Sequence, residues 1–436
     1  VHTPDGHSTE NERGPYQSCS IEAYYYAFEG FKPPWLDTHE MDEVTDKARR
    51  SIRQILSETT PEGIAGARFS TNYFNIAYGV RHAGNWVVDN DPVFDEPEIR
   101  ARLNLVNGWG GPLPQVLSEL TPYGGKFMLR DQWGPDGGYF FMENYRSGSQ
   151  NPQLRTAYRL RQSGDDLLFG TPILVDRRGP FPSLGKILPV GGKTEYLAIA
   201  EKYVLDTRFH TSAHIDFAEA KQDAPYSPRA LWQAYYGLEN DFVWGGHQRA
   251  LDLVSQPIHD VTTWRQAYLL RGEQLYIVTD RIESDRTHEY AHPLHLNLGN
   301  DLAYPMKPGV AGHRMAIARA ATNREVIRVD AERARVFTDL PGAANVAAHF
   351  FSPARLQFFY GFDGKAQPLD NPIPFTNWLA RPPKTPGYAI GVRWQGRGDQ
   401  VLVSLQETIK TGAVSALRSL QPMNGPAGQA GFRAAT

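Results

Sequence analysis

Trp264-Arg265-Gln266-Ala267-Tyr268-Leu269-Leu270-Arg271-Gly272-Glu273-Gln274-Leu275-Tyr276-Ile277-Val278-Thr279-Asp280-Arg281-Ile282 reads as two β-strands, 266–271 and 274–282, turning at Gly272-Glu273. Aromatic and β-branched residues on both sides of a glycine-containing break are the mark of a hairpin. The same texture continues on either side. In 290–298, Tyr290, His292, Leu294, Leu296 and Leu298 share one face, the two-residue period of a half-buried strand. His292 and His295 fall on opposite faces of it. Segments 357–362, 388–395 and 400–407 add strands, the last two hinged at Gly396-Arg397-Gly398-Asp399. Upstream, 127–130 and 139–142 flank the turn Gly134-Pro135-Asp136-Gly137-Gly138. Many short strands separated by turn signals predict an antiparallel β-sandwich, here over 111–419, followed by a flexible tail at 420–436.

The first 110 residues have a different period. Ile21, Tyr24, Tyr25 and Phe28 recur at helical steps. Asp37 or Thr38 can cap a helix whose apolar stripe is Val44, Ala48, Ile52, Ile55 and Leu56, ending at Thr59-Thr60-Pro61. A further helix is expected at 96–106. The predicted fold class is therefore α+β and multidomain, with a helical segment before the sandwich.

Composition narrows the function. At 436 residues, with 41% hydrophobic and 21% charged, the chain has enough apolar surface for a large core. A net charge of −3 gives no general attraction to nucleic acid or anionic membrane, and neither is an expected partner. Cys19 is the lone cysteine, so no disulfide forms within the chain. No apolar run approaches the ~20 residues of a membrane span. The chain opens at Val1 without Met, which is expected of a processed or trimmed chain, or of the later part of a longer one. Its 12% aromatic content suits a carbohydrate cleft or simply a β-rich core.

Three stretches carry a resemblance. The hairpin above ends in Thr279-Asp280-Arg281; Gly124-Gly125-Lys126-Phe127-Met128-Leu129-Arg130-Asp131 precedes Trp133; and Pro4-Asp5-Gly6 leads to Glu10 and Tyr16. Together they resemble the heparinase II/III-like polysaccharide lyases, which pair an α/α toroid with a C-terminal β-sandwich. The resemblance implies that 1–110 is the end of such a toroid, with an N-terminal fragment missing. It also implies secretion or a periplasmic location, and an anionic, uronic acid-containing polysaccharide as substrate. Tyr16 is then the catalytic acid, and possibly the base, assisted by His7 or His210. Glu10, Arg13, Gln150, Arg155 and Trp133 are the substrate-binding candidates. Where the family carries His-x-His-x-Asp, this chain has Gln150 and Pro152.

That chemistry has a physical logic. β-Elimination needs the sugar carboxylate neutralised, the adjacent C5 proton removed and the departing oxygen protonated. A phenol, with a pKa near ~10, serves as acid and needs neighbouring positive charge to serve as base. The run Arg146, Gln150, Asn151, Arg155, Arg159, Arg161, interleaved with Tyr145 and Tyr158, is locally basic. It suits an anionic sugar cleft, or a plain solvent face. No cofactor is required; His210, His214 and Asp216 are the best candidates for a structural Zn or Ca ion. Two other readings stay open: a non-catalytic carbohydrate-binding protein with a degenerate site, and a glycoside hydrolase using paired carboxylates.

Overall fold

The computed structural model describes residues 38–63, 92–123, 125–144, 156–170, 172–176, 179–180, 207–222, 226–227, 258–296, 327–330, 332–340, 342–362, 365–366, 388–410, 413, 415, 419–424 and 430–435. Two α-helices, α1 (Thr38–Ser57) and α2 (Pro97–Asn107), and one 3-10 turn (Pro92–Asp95) stand among them. The helices form where the period placed them. Ile52, Ile55 and Leu56 of the predicted stripe are buried. Pro97 opens α2 at a position where its missing N–H costs nothing. Gly108 closes α2 in the left-handed region at φ 69°, its N–H turned back onto the last helical carbonyls.

The other regular elements among the described residues are strands. In chain order these are β1 (Glu119–Thr121), β2 (Lys126–Arg130), β3 (Gly138–Glu143), β4 (Tyr158–Gln162), β5 (Asp165–Gly170), β6 (Leu174–Val175), β7 (Gly179–Pro180), β8 (Thr207–Thr211), β9 (Ile215–Gln222), β10 (Tyr226–Ser227), β11 (Val261–Leu270), β12 (Leu275–Ser284), β13 (His288–Leu296), β14 (Ile327–Asp330), β15 (Arg335–Thr338), β16 (Asn345–Phe351), β17 (Gln357–Phe362), β18 (Lys365–Ala366), β19 (Tyr388–Gly396), β20 (Gln400–Ile409), β21 (Ser419–Asn424) and β22 (Ala430–Ala435). One large sheet runs β1-β2-β3-β4-β5-β13-β19-β17-β18, with β6 also on β13. The other runs β14-β15-β16-β20-β12-β11-β9-β8. The tail expected to be loose carries a hairpin, β21 against β22.

One apolar core lies between the two sheets, drawing Phe140, Tyr158 and Leu294 from the first and Ala267, Tyr276 and Leu402 from the second. Phe140 stacks across on Tyr276 at 5.8 Å, and Phe127 meets Phe209 at 6.4 Å. The deciding hairpin is β11–β12, with Trp264 opposite Arg281 and Arg265 opposite Asp280. Its alternation is strict on β11, every second residue buried from Val261 to Leu269. Arg265 and Asp280 therefore point into the core, where they pair at 2.7 Å.

β2 and β4 break that alternation: all their residues are buried. The first sheet is covered on its outer side by the end of α1 and the turn after it. Lys126 meets Glu58 at 3.0 Å, both fully buried. Arg130 donates to the carbonyl of Thr59 at 2.9 Å and to that of Ser57 at 2.5 Å. Arg161 meets Glu62 at 2.5 Å. The last carbonyls of a helix lack internal partners and carry its negative dipole end. A cationic strand face satisfies both needs. Tyr139 adds a hydroxyl donated to the carbonyl of Glu58 at 3.1 Å, beneath the Arg130 guanidinium. Tyr139→Phe keeps the ring under that cation and removes the one hydrogen bond. It is expected to cost about 1 kcal/mol in urea unfolding; no change would mean the phenol does not pin the helix end.

Candidate active site

Of the cationic strip predicted to line a sugar cleft, Arg159 and Arg161 are among the described residues, and they stand on the face just described. Arg159 and Arg161 are each 1% exposed, so they are neither a solvent face nor an open cleft wall. Two-residue alternation puts Arg130, Tyr139 and Arg161 in one cross-strand row, and Met128, Phe141 and Arg159 in the next. The helical segment consumes that row. Trp133, expected to stack on sugar, is a wedge in the same seam. Its indole N–H donates to the carbonyl of Val116 at 3.2 Å, and Arg130 and Arg102 lie 4.7 and 5.6 Å from its ring.

His210 and His214 do not join Asp216. The i, i+4 argument assumes one continuous element, but residues 212–214 turn the chain from β8 into β9. His210 and His214 are exposed. Asp216 is buried, held by Arg271 at 2.9 and 3.0 Å and by the Ser118 hydroxyl at 2.6 Å. No group of three or more His, Cys, Asp or Glu residues suited to a metal occurs among the described residues. His210 also stands on the outer face of the second sheet, since Phe209 takes the inward position and packs on Phe127. Both sheets separate it from α1, so it shares no groove with the described helices. Tyr16, His7, Glu10, Arg13, Gln150 and Arg155 lie outside the described residues, as do Cys19, Tyr145, Arg146, Asn151 and Pro152.

Sequence reasoning missed His288 at the start of β13. Its two ring nitrogens reach Asp176 at 2.7 Å and Asp260 at 3.1 Å. Arg286 grips Asp260 from the solvent side at 2.6 and 2.9 Å, holding its carboxyl well below the usual range, with His288 assisting. Both nitrogens are spent on carboxylates, so the cluster ties three loops together. Its partners lie 112 and 28 residues away in the sequence, so no local spacing singles it out.

Asp131, just past β2, is perturbed in the other direction. Burial pushes its carboxyl up to about 6, against the pull of the Gly138 N–H bonded to it at 2.6 Å. Gly138 has no room for a side chain: a Cβ there would lie 2.6 Å from the Tyr276 hydroxyl. The folded value lies above the unfolded one near ~3.9. The fold thus favours the protonated acid, and this contribution is full below about pH 4 and lost as pH rises through 6. Asp131→Asn is expected to gain on the order of 2 kcal/mol over the parent at about pH 8, the gap closing below about pH 4. Thermal melts at both pH values check this; an equal gap at both overturns it.

No family model matches the chain, and no curated protein matches it by sequence. Solved structures do match. The fold is similar to that of heparinase III. A heparan sulfate lyase from Pedobacter heparinus superposes with a TM-score of 0.59 at 11% identity, covering 98% of this chain and 56% of its own. A heparinase III structure gives 0.58 at 10%, covering 100% and 61%. Another heparinase III gives 0.57 at 10%, covering 99% and 58%. The chain therefore spans less than two thirds of the length of each. At this identity the likeness establishes the architecture, antiparallel sheets with few helices. Among the described residues no helix is long and apolar enough to cross a membrane.

Proposed function

We propose that the chain belongs to a polysaccharide lyase that cleaves an anionic, uronic acid-containing polysaccharide by β-elimination. The observation that carries this reading is the match of nearly the whole chain to heparan sulfate lyase and heparinase III folds. The Asp-Gly, Glu, Tyr string of the N-terminal segment supports it from the sequence side. In the reaction a base takes the C5 proton of the uronate. The electron pair forms the C4–C5 double bond, the C4–O bond breaks, and an acid protonates the leaving oxygen. Tyr16 is the acid, and the base if ionised, with His7 as proton relay. Arg13 meets the carboxylate, and Glu10, Gln150 and Arg155 hold the chain. A polymer substrate places the protein outside the cytoplasm, secreted or periplasmic.

Incubating the full chain with heparan sulfate, hyaluronan and alginate tests this. An ultraviolet absorbance rise from the conjugated product is expected with at least one. Reducing ends without absorbance would make the protein a hydrolase. Neither signal, with binding retained, would favour a non-catalytic binder, the reading to which Gln150 and Pro152 point.

A further inference from the structure

The loop that leads from α2 into the first sheet, residues 108–118, carries the most exposed large apolar side chain among the described residues. Trp109 is 53% exposed, with Leu113 at 51% and Val116 at 42% further along. No aromatic or cationic contact to the Trp109 ring occurs among the described residues. A single exposed apolar side chain is ordinary on a protein surface. The bracing around this one sets it apart, because the loop is anchored to both ends of α2. Gly108 and Trp109 donate their backbone N–H groups to the carbonyls of Leu105 and Asn104, near the end of α2, at 3.3 and 3.0 Å. Gln115 and Val116 donate theirs to the carboxylate of Glu98, in its first turn, at 2.8 and 3.3 Å. Arg102 donates to the same carboxylate at 2.8 and 2.9 Å. Pro112 and Pro114 fix the backbone between these anchors. The surroundings of the indole are open on one side and closed on the other. At Gly108 and Gly110, its chain neighbours, a Cβ would meet nothing within 4 Å. At Gly111 a Cβ would stand 3.1 Å from Asn104 Nδ2, so the loop lies close against the helix there. Residues 103–118 include no charged side chain; their polar side chains are the amides of Asn104, Asn107 and Gln115 and the Ser118 hydroxyl.

We infer that Trp109 is a stacking platform for one sugar ring of the polysaccharide, gripping the ring by its C–H face and not by its charge. The C–H face of a pyranose is flat and apolar, as the indole is, and its edge carries hydroxyls suited to neutral amides. With no charged side chain in the loop, nothing there answers a carboxylate or sulfate group, so the platform selects the ring and not its acid substituents. A protein partner fits worse. Even taken as one patch, Trp109, Leu113 and Val116 expose only roughly 300 Å² of apolar side chain. A stable protein interface takes about 800 Å² from each partner. The bracing matters for affinity, since an indole on a fixed backbone loses little freedom when a ligand lands on it. It also fixes the place. The Val116 carbonyl holds the Trp133 indole N–H at 3.2 Å, so the loop runs along the seam between the helical segment and the first sheet. The inference rests on the polysaccharide reading of the substrate, not on the lyase chemistry.

The test uses the full chain and heparan sulfate or alginate immobilised on a sensor. Trp109→Ala is expected to weaken binding about tenfold, and Trp109→Tyr, which keeps an aromatic face, to restore most of it. The tenfold factor should be the same at about 0.05 and about 0.5 M salt, because the lost contact carries no charge. Both variants should melt with the parent, since the indole is exposed. Parent-level binding by Trp109→Ala overturns the inference, as does a loss confined to low salt or a parent chain that binds neither polymer. A lowered melting temperature in Trp109→Ala would make the indole part of the fold, and a parent dimer that this variant dissociates would make its partner a second copy; either result overturns the platform. Trp109-dependent binding without any ultraviolet absorbance rise leaves it standing and removes the lyase reading instead.

Discussion

Asp280→Ala is expected to destabilise the sandwich by about 3–5 kcal/mol, because it strands a buried guanidinium. Arg265 holds Asp280 through two bonds, 2.7 and 3.0 Å, and both side chains are almost fully buried. The guanidinium also donates to the carbonyl of Thr156 and sits 5.1 Å over the Tyr158 ring. His292 also lies 3.4 Å from it, its imidazole driven well below the usual range by burial and by that same positive charge. A neutral histidine cannot replace the lost carboxylate. Burial pushes Asp280 upward while Arg265 pulls it back, so the pair exists only as a pair. Arg265→Met/Asp280→Leu removes both charges and should recover most of the loss. Urea unfolding of the single and double variants checks the cycle. If Asp280→Ala cost less than about 1 kcal/mol, Arg265 would not be relying on it.

Four residues of the β11–β12 hairpin show how much the sequence alone can disclose. Trp264-Arg265 on one strand and Asp280-Arg281 on the next encode two cross-strand pairs. Alternation sends one inward as an ion pair and the other outward as a cation over an indole. β13, β17, β19 and β20 were legible for the same reason, since their period is local. The seam was not. Alternation tells which residues share a face but not what covers it, so a basic strand face reads alike whether it meets water, sugar or a helix end. The partners that decide the matter, Glu58 for Lys126 and Glu62 for Arg161, are 68 and 99 residues away. The supposed metal site failed locally instead. Ser212 accepts from the amides of His214 and Ile215, the chain turns there, and a strand-face count across it loses meaning.

Tyr16→Phe is expected to lower β-elimination by roughly 10²–10⁴-fold, the range for removing a positioned general acid or base. The argument is chemical. The leaving glycosidic oxygen departs as a poor alkoxide unless a proton arrives as the C4–O bond breaks. Phenylalanine fills the same space and cannot supply it. Any ionised phenol that had acted as base is lost as well. Affinity for immobilised heparan sulfate or alginate should change little, because the ring remains. A fall in turnover without a fall in binding therefore assigns the proton transfer to this hydroxyl. Full turnover in the variant would remove Tyr16 from the reaction and leave the architecture with a catalyst elsewhere. Loss of both turnover and binding, with an unchanged melting curve, would make the phenol a substrate-holding group and not the acid.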